Sequence, residues 1–226
     1  MKKSRITALA VLPLSAVLLS GCGQVRAGAA ALVGDDRITV STLNRTVNEW
    51  QPQILADPQA NAAWDDELKK ELLLDPDKLS ELDVRSPASP RRTLNSMIYL
   101  RLADRAAKDN GIEPSEGQVS QVIDLLNQNP TNLASRTLVY GLPTDRGRDV
   151  ARAKVIELML LDRFGADQST RSPATQQAIK SLSDAFTNAA RELKIRLNPR
   201  YGVYDPTRIT IDPVVYRLSA YESGVR

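Results

Sequence analysis

Histidine is absent from these 226 residues, and cysteine occurs once. The first absence excludes Ser-His and Cys-His nucleophile pairs and every His-ligated metal site. The second excludes an intramolecular disulfide. Aromatic residues are only 4% of the chain, so a core must rest on Leu, Ile, Val and Ala, which suits helix packing. A charge excess is missing too once the first residues are set aside. Lys2, Lys3 and Arg5 are three of the 30 basic residues, and no acid precedes residue 22, so 27 basic face 27 acidic residues from Cys22 onward. Such neutrality gives no whole-molecule reason to bind nucleic acid or anionic lipid. Nor is there a nucleophile-elbow, phosphate-loop or metal-ligand spacing. No catalytic residue, metal or cofactor is therefore expected.

What is there begins with a leader. Met1-Lys2-Lys3-Ser4-Arg5 is basic, and Ile6 to Leu19 is an apolar run interrupted by Pro13. That run falls short of the ~20 apolar residues that span a bilayer. Leu19-Ser20-Gly21-Cys22 closes it with small residues just before the cysteine. Basic start, apolar middle and small-residue end are the three parts of a secretory signal. The tetrapeptide resembles the bacterial lipobox. The resemblance implies a signal peptide over 1–21, diacylglycerol transfer to the Cys22 thiol, and cleavage before Cys22. Two or three acyl chains hold a protein stably at a bilayer surface. Residues 22–28 then read as a lipidated tether, and the domain faces outside the cytoplasm at the cell membrane.

The remainder is globular, with 42% hydrophobic and 25% charged residues. Ala29 to Val33 reads as a strand, Gly34-Asp35-Asp36 as a turn, and Arg37 to Val40 as a second strand. Ser41 is expected to cap a helix with Leu43, Val47, Trp50 and Ile54 on one stripe. Pro58, Pro76, Pro87 and Pro90 break up the next stretch, leaving short helices over Trp64–Leu74 and Asp77–Leu82. Asp65-Asp66-Glu67 would open the first of these and favour its dipole. Ser89 to Asn110 predicts a long helix with Leu94, Met97, Ile98, Leu102 and Ala106 inward. Asn110-Gly111 stops it, and Ser115 with Gln118 forms a capping box for the next. Asn132 to Tyr140 is a short helix closed by Gly141. Asp145 to Phe164 is long, with Ala151, Val155, Leu158, Met159 and Leu161 inward. Ser172-Pro173 opens the last helix, striped by Ile179, Leu182, Phe186, Ala190 and Leu193. Lys194–Leu197, Val203-Tyr204 and Arg208–Ile211 are short extended pieces. The fold class is mostly α, with a few short strands near both ends of the mature chain.

One stretch carries a family likeness. Leu94 to Ala103, then Ala106-Ala107-Lys108-Asp109-Asn110-Gly111-Ile112-Glu113-Pro114-Ser115, then Val119, resembles the helical core of the SurA-like chaperones. Leu32-Val33-Gly34-Asp35-Asp36-Arg37-Ile38-Thr39 is similar to that family's opening strand and turn. Leu197-Asn198-Pro199-Arg200-Tyr201-Gly202 resembles a segment near the C-terminus of its lipoprotein members. The likeness implies a chaperone domain over 29–212, in which a small β element joins the two ends and the middle helices form an arm. Residues 213–226 read as a loosely held tail. Many relatives also carry a parvulin-type prolyl isomerase module that uses histidine. Here only helices are expected between Leu126 and Pro173, and histidine is absent, so isomerase activity is not expected.

The expectation is an ATP-independent, lipid-anchored holder of unfolded or extended exported polypeptides. Its apolar contacts would come from Trp50, Trp64, Met97, Met159 and Leu160, unless those side chains fill the core. The alternative is a structural or adaptor lipoprotein serving one cell-envelope partner. Arg91-Arg92 and Lys69-Lys70 read as solvated charges at helix ends, and Tyr201 as turn packing.

Overall fold

The computed structural model describes residues 27–74, 90–129, 131–167 and 169–213. The leader, Cys22, the helix expected over Asp77–Leu82 and the C-terminal tail lie outside the described residues.

Strand β1 (Ala29–Val33) is apolar along its whole length and buried at every position. An apolar run without alternation suits a strand covered on both faces, and β1 is the central strand of a three-stranded sheet. It pairs antiparallel with β2 (Asp36–Thr39) across the Gly34-Asp35 turn, where Gly34 has φ +60°. Its other neighbour comes from the far end of the chain. β3 (Arg196–Leu197) sets Leu197 opposite Ala31 and Arg196 opposite Leu32. The Gly34 amide also donates to the Leu193 carbonyl at 2.7 Å. The two ends of the domain are thus closed by backbone hydrogen bonds.

Seven helices occupy the space between, among the described residues: α1 (Val40–Ala56), α2 (Pro58–Leu74), α3 (Pro90–Asp109), α4 (Glu116–Asn127), α5 (Leu133–Val139), α6 (Gly147–Arg163) and α7 (Pro173–Glu192). A hairpin of β4 (Val203–Asp205) and β5 (Thr210–Asp212) follows. Helix α3 is the axis of the domain and contacts α1, α6, α7, β1 and β5. Leu94, Met97, Ile98, Leu102 and Ala106 are all buried, as their spacing predicts, and meet Leu43, Ile156, Leu160 and Phe186 in the main core. Each such leucine or isoleucine contributes about 1.5–3 kcal/mol by leaving water. Tyr99 stacks on Phe186 with ring centroids 5.3 Å apart. The expected arm packs back on this bundle. Val119, Val122 and Ile123 of α4 pack with Ala151, Val155 and Met159 of α6.

Several boundaries move, each for a local reason. Thr39, not Ser41, caps α1, its Oγ1 accepting from the Thr42 amide at 3.0 Å. Pro58 opens α2 instead of breaking the chain. Asp57 Oδ1 accepts from the Gln59 and Ala60 amides at 2.9 and 3.0 Å, and proline is tolerated where the first helical amide needs no partner. That earlier start leaves Asp65 and Asp66 inside the helix, not at its opening. In α6 the core takes Val150, Ala153, Ile156 and Leu160, while Leu158 is 45% exposed. In α7 the stripe runs through Thr175, Ala178, Phe186, Ala189 and Ala190, and Ile179 is left half out. The Ser115–Gln118 capping box and the Ser172 cap form as expected.

Candidate functional site

The apolar residues expected to hold clients take core positions. Trp50 is fully buried, and its Nε1 donates to the Leu138 carbonyl at 2.7 Å. Trp64 leans on it, ring centroids 5.3 Å apart at 49°, within a small cluster that includes Ile54, Ala60 and Leu138. Met97 and Leu160 are buried in the main core, and Met159 is half-buried against α4. A side chain without solvent exposure cannot touch a second chain, so Trp50, Trp64, Met97 and Leu160 do not line a cradle in this conformation, and only Met159 keeps part of its surface open. The exposed large apolar side chains are Leu55, Leu125, Tyr140, Leu158, Ile179 and Val203. They are spread over α1, α4, the end of α5, α6, α7 and β4.

One concavity lies between α2, α3 and α5. It encloses about 470 Å³ and is lined by Ala63, Arg92, Thr131, Arg136, Val139 and Tyr140. Its construction follows from an unmet need. The last carbonyls of a helix lack intrahelical partners, and α5 ends in the interior. Side chains of α1 and α3 meet that need one by one. Trp50 Nε1 donates to Leu138 O, and Arg92 Nε donates to Val139 O at 3.0 Å. The Ser96 hydroxyl donates to Tyr140 O, and Thr93 Oγ1 donates to Gly141 O at 2.8 Å. Gly141 makes the close approach feasible. Its φ is +81°, and a Cβ there would sit 3.2 Å from Arg92 Cγ.

This clamp fixes the polar groups of the cleft. The Arg92 guanidinium lies over the Trp64 ring, 4.1 Å from its centroid, a cation–π arrangement that holds it against the wall. It is therefore a half-buried, positioned group and not a solvated helix-end charge. Arg136 is oriented by its own bond from Nε to the Thr131 carbonyl, at 3.0 Å. Tyr140 stands at the rim, 42% exposed. Burial, then the Glu157 carboxylate, pushes its phenol above the ordinary tyrosine value, so it stays a neutral donor. Beyond it, the half-buried Tyr99 hydroxyl donates to Glu157, and desolvation together with that charge raises Tyr99 too. Arg92 is engaged with its neighbours and forms the wall, while Arg136 and Tyr140 bring a guanidinium and a phenol to the opening, donors that suit a carboxylate or another small anion.

A second, more polar cleft of about 250 Å³ lies beside the sheet, where α3 meets α6. Arg101 faces Asp36 at 3.5 Å, Arg152 faces Asp104 at 3.1 Å, and Arg146 faces Asp149 at 2.5 Å. Burial lowers the Arg101 pKa, and Asp36 partly restores it. Each cation there has its own acid, so the lining carries no surplus charge for a ligand.

No group of His, Cys, Asp and Glu that could hold a metal occurs among the described residues. No described helix is long and apolar enough to cross a membrane. The clamp escaped sequence reasoning because its donors act on backbone carbonyls 44 to 88 residues away. The one legible signal was Gly141 after a short helix. No family model matches the chain, and no curated protein or solved structure matches it either.

Proposed function

We propose that this chain is a lipoprotein, acylated on Cys22 and held at the outer face of the cell membrane, whose helical domain binds extended segments of exported polypeptides without ATP. The observation that carries the reading is the placing of the chain's single cysteine directly after Leu19-Ser20-Gly21, behind a basic and apolar leader. The SurA-like likeness supplies the chaperone part. It is supported by the small sheet in which residues 29–39 and 196–197 close a helical domain. Holding would be passive. Bound segments would pair acidic side chains or a terminal carboxylate with Arg136 and lay apolar groups on the nearby surface.

One observation favours the second reading, a selective adaptor. The five apolar candidates are core or half-buried, and the exposed apolar residues are dispersed. A broad holdase needs a contiguous apolar surface, whereas a polar cleft with a positioned cation at its opening suits one recurring partner motif.

Mass analysis of the N-terminal peptide from membranes, with Cys22→Ser as control, tests the anchor. A diacylglycerol adduct on Cys22 and release of the serine variant are expected, and an intact Met1 would refute the reading. Suppression of aggregation of several unrelated unfolded proteins tests the holding activity. Failure with all of them, alongside co-purification of one envelope protein, would select the adaptor.

A further inference from the structure

The end of the domain from which the tether leaves is basic, although the mature chain as a whole is neutral. Cys22 and Ala27 are five residues apart, so the acyl group cannot lie more than ~18 Å from Ala27 even with the chain fully extended. Whatever surrounds the start of β1 is therefore held against the bilayer surface. Arg37 is there, its Nη2 donating to the Ala27 carbonyl at 2.5 Å. The same end receives the start of α1, because the Val40 amide donates to Gly28 O at 2.9 Å. Arg45 projects from the second turn of that helix and is exposed; the first turn contains no acid, and the exposed Glu49 stands one turn further from this end. From the other side, Asn198 bonds to Ala29 and Ala30, which brings in the exposed Arg200, lying over the Tyr201 ring. In the neighbouring β4–β5 hairpin, Asp205 and Asp212 share the single guanidinium of Arg208, which leaves one negative charge there against Arg37, Arg45 and Arg200. Asp35 and Asp36 sit at the opposite end of the β1–β2 hairpin, a separation of ~16 Å along a five-residue strand.

We infer that Arg37, Arg45 and Arg200 form a membrane-facing surface that docks on anionic phospholipid headgroups and fixes how the anchored domain stands on the bilayer. The inference rests on the proposed acylation of Cys22. The lipid supplies attachment, and the three arginines supply orientation. Each cation at an anionic surface shifts the docked-to-detached ratio about fivefold. With the tether exit facing the lipid, the acidic Asp35 turn points away from it.

The test uses the full lipidated protein in vesicles of phosphatidylcholine alone or mixed with phosphatidylglycerol. Acylation occupies the only native thiol, so a dye placed through Asn44→Cys labels one site beside the tether exit, and Asp35→Cys labels the far turn. Quenching by brominated lipid reports depth. The Asn44 dye should be quenched more in the anionic vesicles at ~0.1 M salt. That excess should vanish at ~1 M salt, where screening shortens to ~3 Å. It should also vanish in Arg37→Glu/Arg200→Glu, and shrink in the milder Arg37→Gln/Arg200→Gln. The Asp35 dye should stay weakly quenched throughout. Composition-blind quenching at Asn44 on an acylated protein would overturn the inference alone. A Cys22 without lipid would overturn the acylation reading and the inference with it.

Discussion

Thr93→Val removes one hydroxyl from the clamp that ends α5 and changes the shape of the side chain little. Thr93 is fully buried, and Oγ1 donates to Gly141 O at 2.8 Å. In the variant that carbonyl loses its donor at a site closed to water. Stranding a buried acceptor costs about 1–3 kcal/mol. No cavity term is added, because valine fills the same volume. A loss near ~2 kcal/mol corresponds to a fall in Tm of about 4–8 °C for a domain of this size. Thr93→Ser is the matched control. It keeps the hydroxyl and deletes one buried methyl, at a cost of ~1 kcal/mol. Urea denaturation with a common m-value measures both. The clamp argument requires valine to be the worse substitution. Serine worse than valine would mean that methyl packing, not the bond to Gly141, holds the end of α5.

Other outcomes follow from the same geometry. Gly202→Ala should be severe, ~2–4 kcal/mol, because Gly202 has φ +124° and a Cβ would lie 2.1 Å from Asp212 O. Gly165→Ala, with φ +84° but no atom within 4 Å, should cost only the left-handed strain, ~1–2 kcal/mol; equal losses in thermal melts would refute the contact at Gly202. For Asp57, burial raises the carboxyl pKa, but bonds from the Ala60 amide, the Ser135 hydroxyl and the Gln59 amide outweigh it and leave the group below 3.8. Its contribution is therefore present above that value and is lost as acid protonates it, so Asp57→Asn should flatten the acid limb of stability against pH; parallel limbs for both proteins would contradict the assignment. Leu160→Ala should lower stability by ~2–5 kcal/mol, whereas Leu158→Asp and Leu125→Asp should leave Tm nearly unchanged and weaken client holding. Intact holding in both aspartate variants would remove the exposed leucines from the binding surface.

Sequence periodicity located the helices well and their facing less well. The stripes of α1 and α3 are right residue for residue, because on each helix the buried residues form one narrow face, which α1 divides along its length between the main core and the Trp50–Trp64 cluster. Helix α6 packs against α4 on one side and α3 on the other, and also meets α5 and α7. Two apolar arcs on one helix blur into a wide band, and Leu158, between them, reads as inward while it faces water. Pro58 shows a different limit. Its role turns on whether the preceding residue caps, and Asp57 does so with help from Ser135, 78 residues away. The joining of the two ends by a small β element was expected from the family likeness, and β1 does pair with β3; periodicity alone could not supply it, since a two-residue strand has too little sequence to announce a partner.

The same ambiguity decides how far the chemistry could be read. Tryptophan, methionine and leucine are the residues a client surface would use, and they are also those a core with few aromatics needs most. With two tryptophans in the chain, both are drawn into packing: one satisfies a helix carbonyl, and the other seats a guanidinium. That second use matters for function. Arg92 reads in sequence as one of two solvated charges, yet Trp64 beneath it and the Val139 carbonyl beside it convert it into a fixed cation at the mouth of a cleft. In the proposed function the core tryptophan acts on a ligand indirectly, by fixing the guanidinium that walls the cleft. Trp64→Leu should accordingly weaken carboxylate binding while Arg92 remains in the chain, and Trp64→Phe, which keeps an aromatic face under the guanidinium, should weaken it less. Equal affinity for an acidic client peptide in wild type and both variants, measured by calorimetry, would show that the cleft's charge does not depend on its aromatic floor.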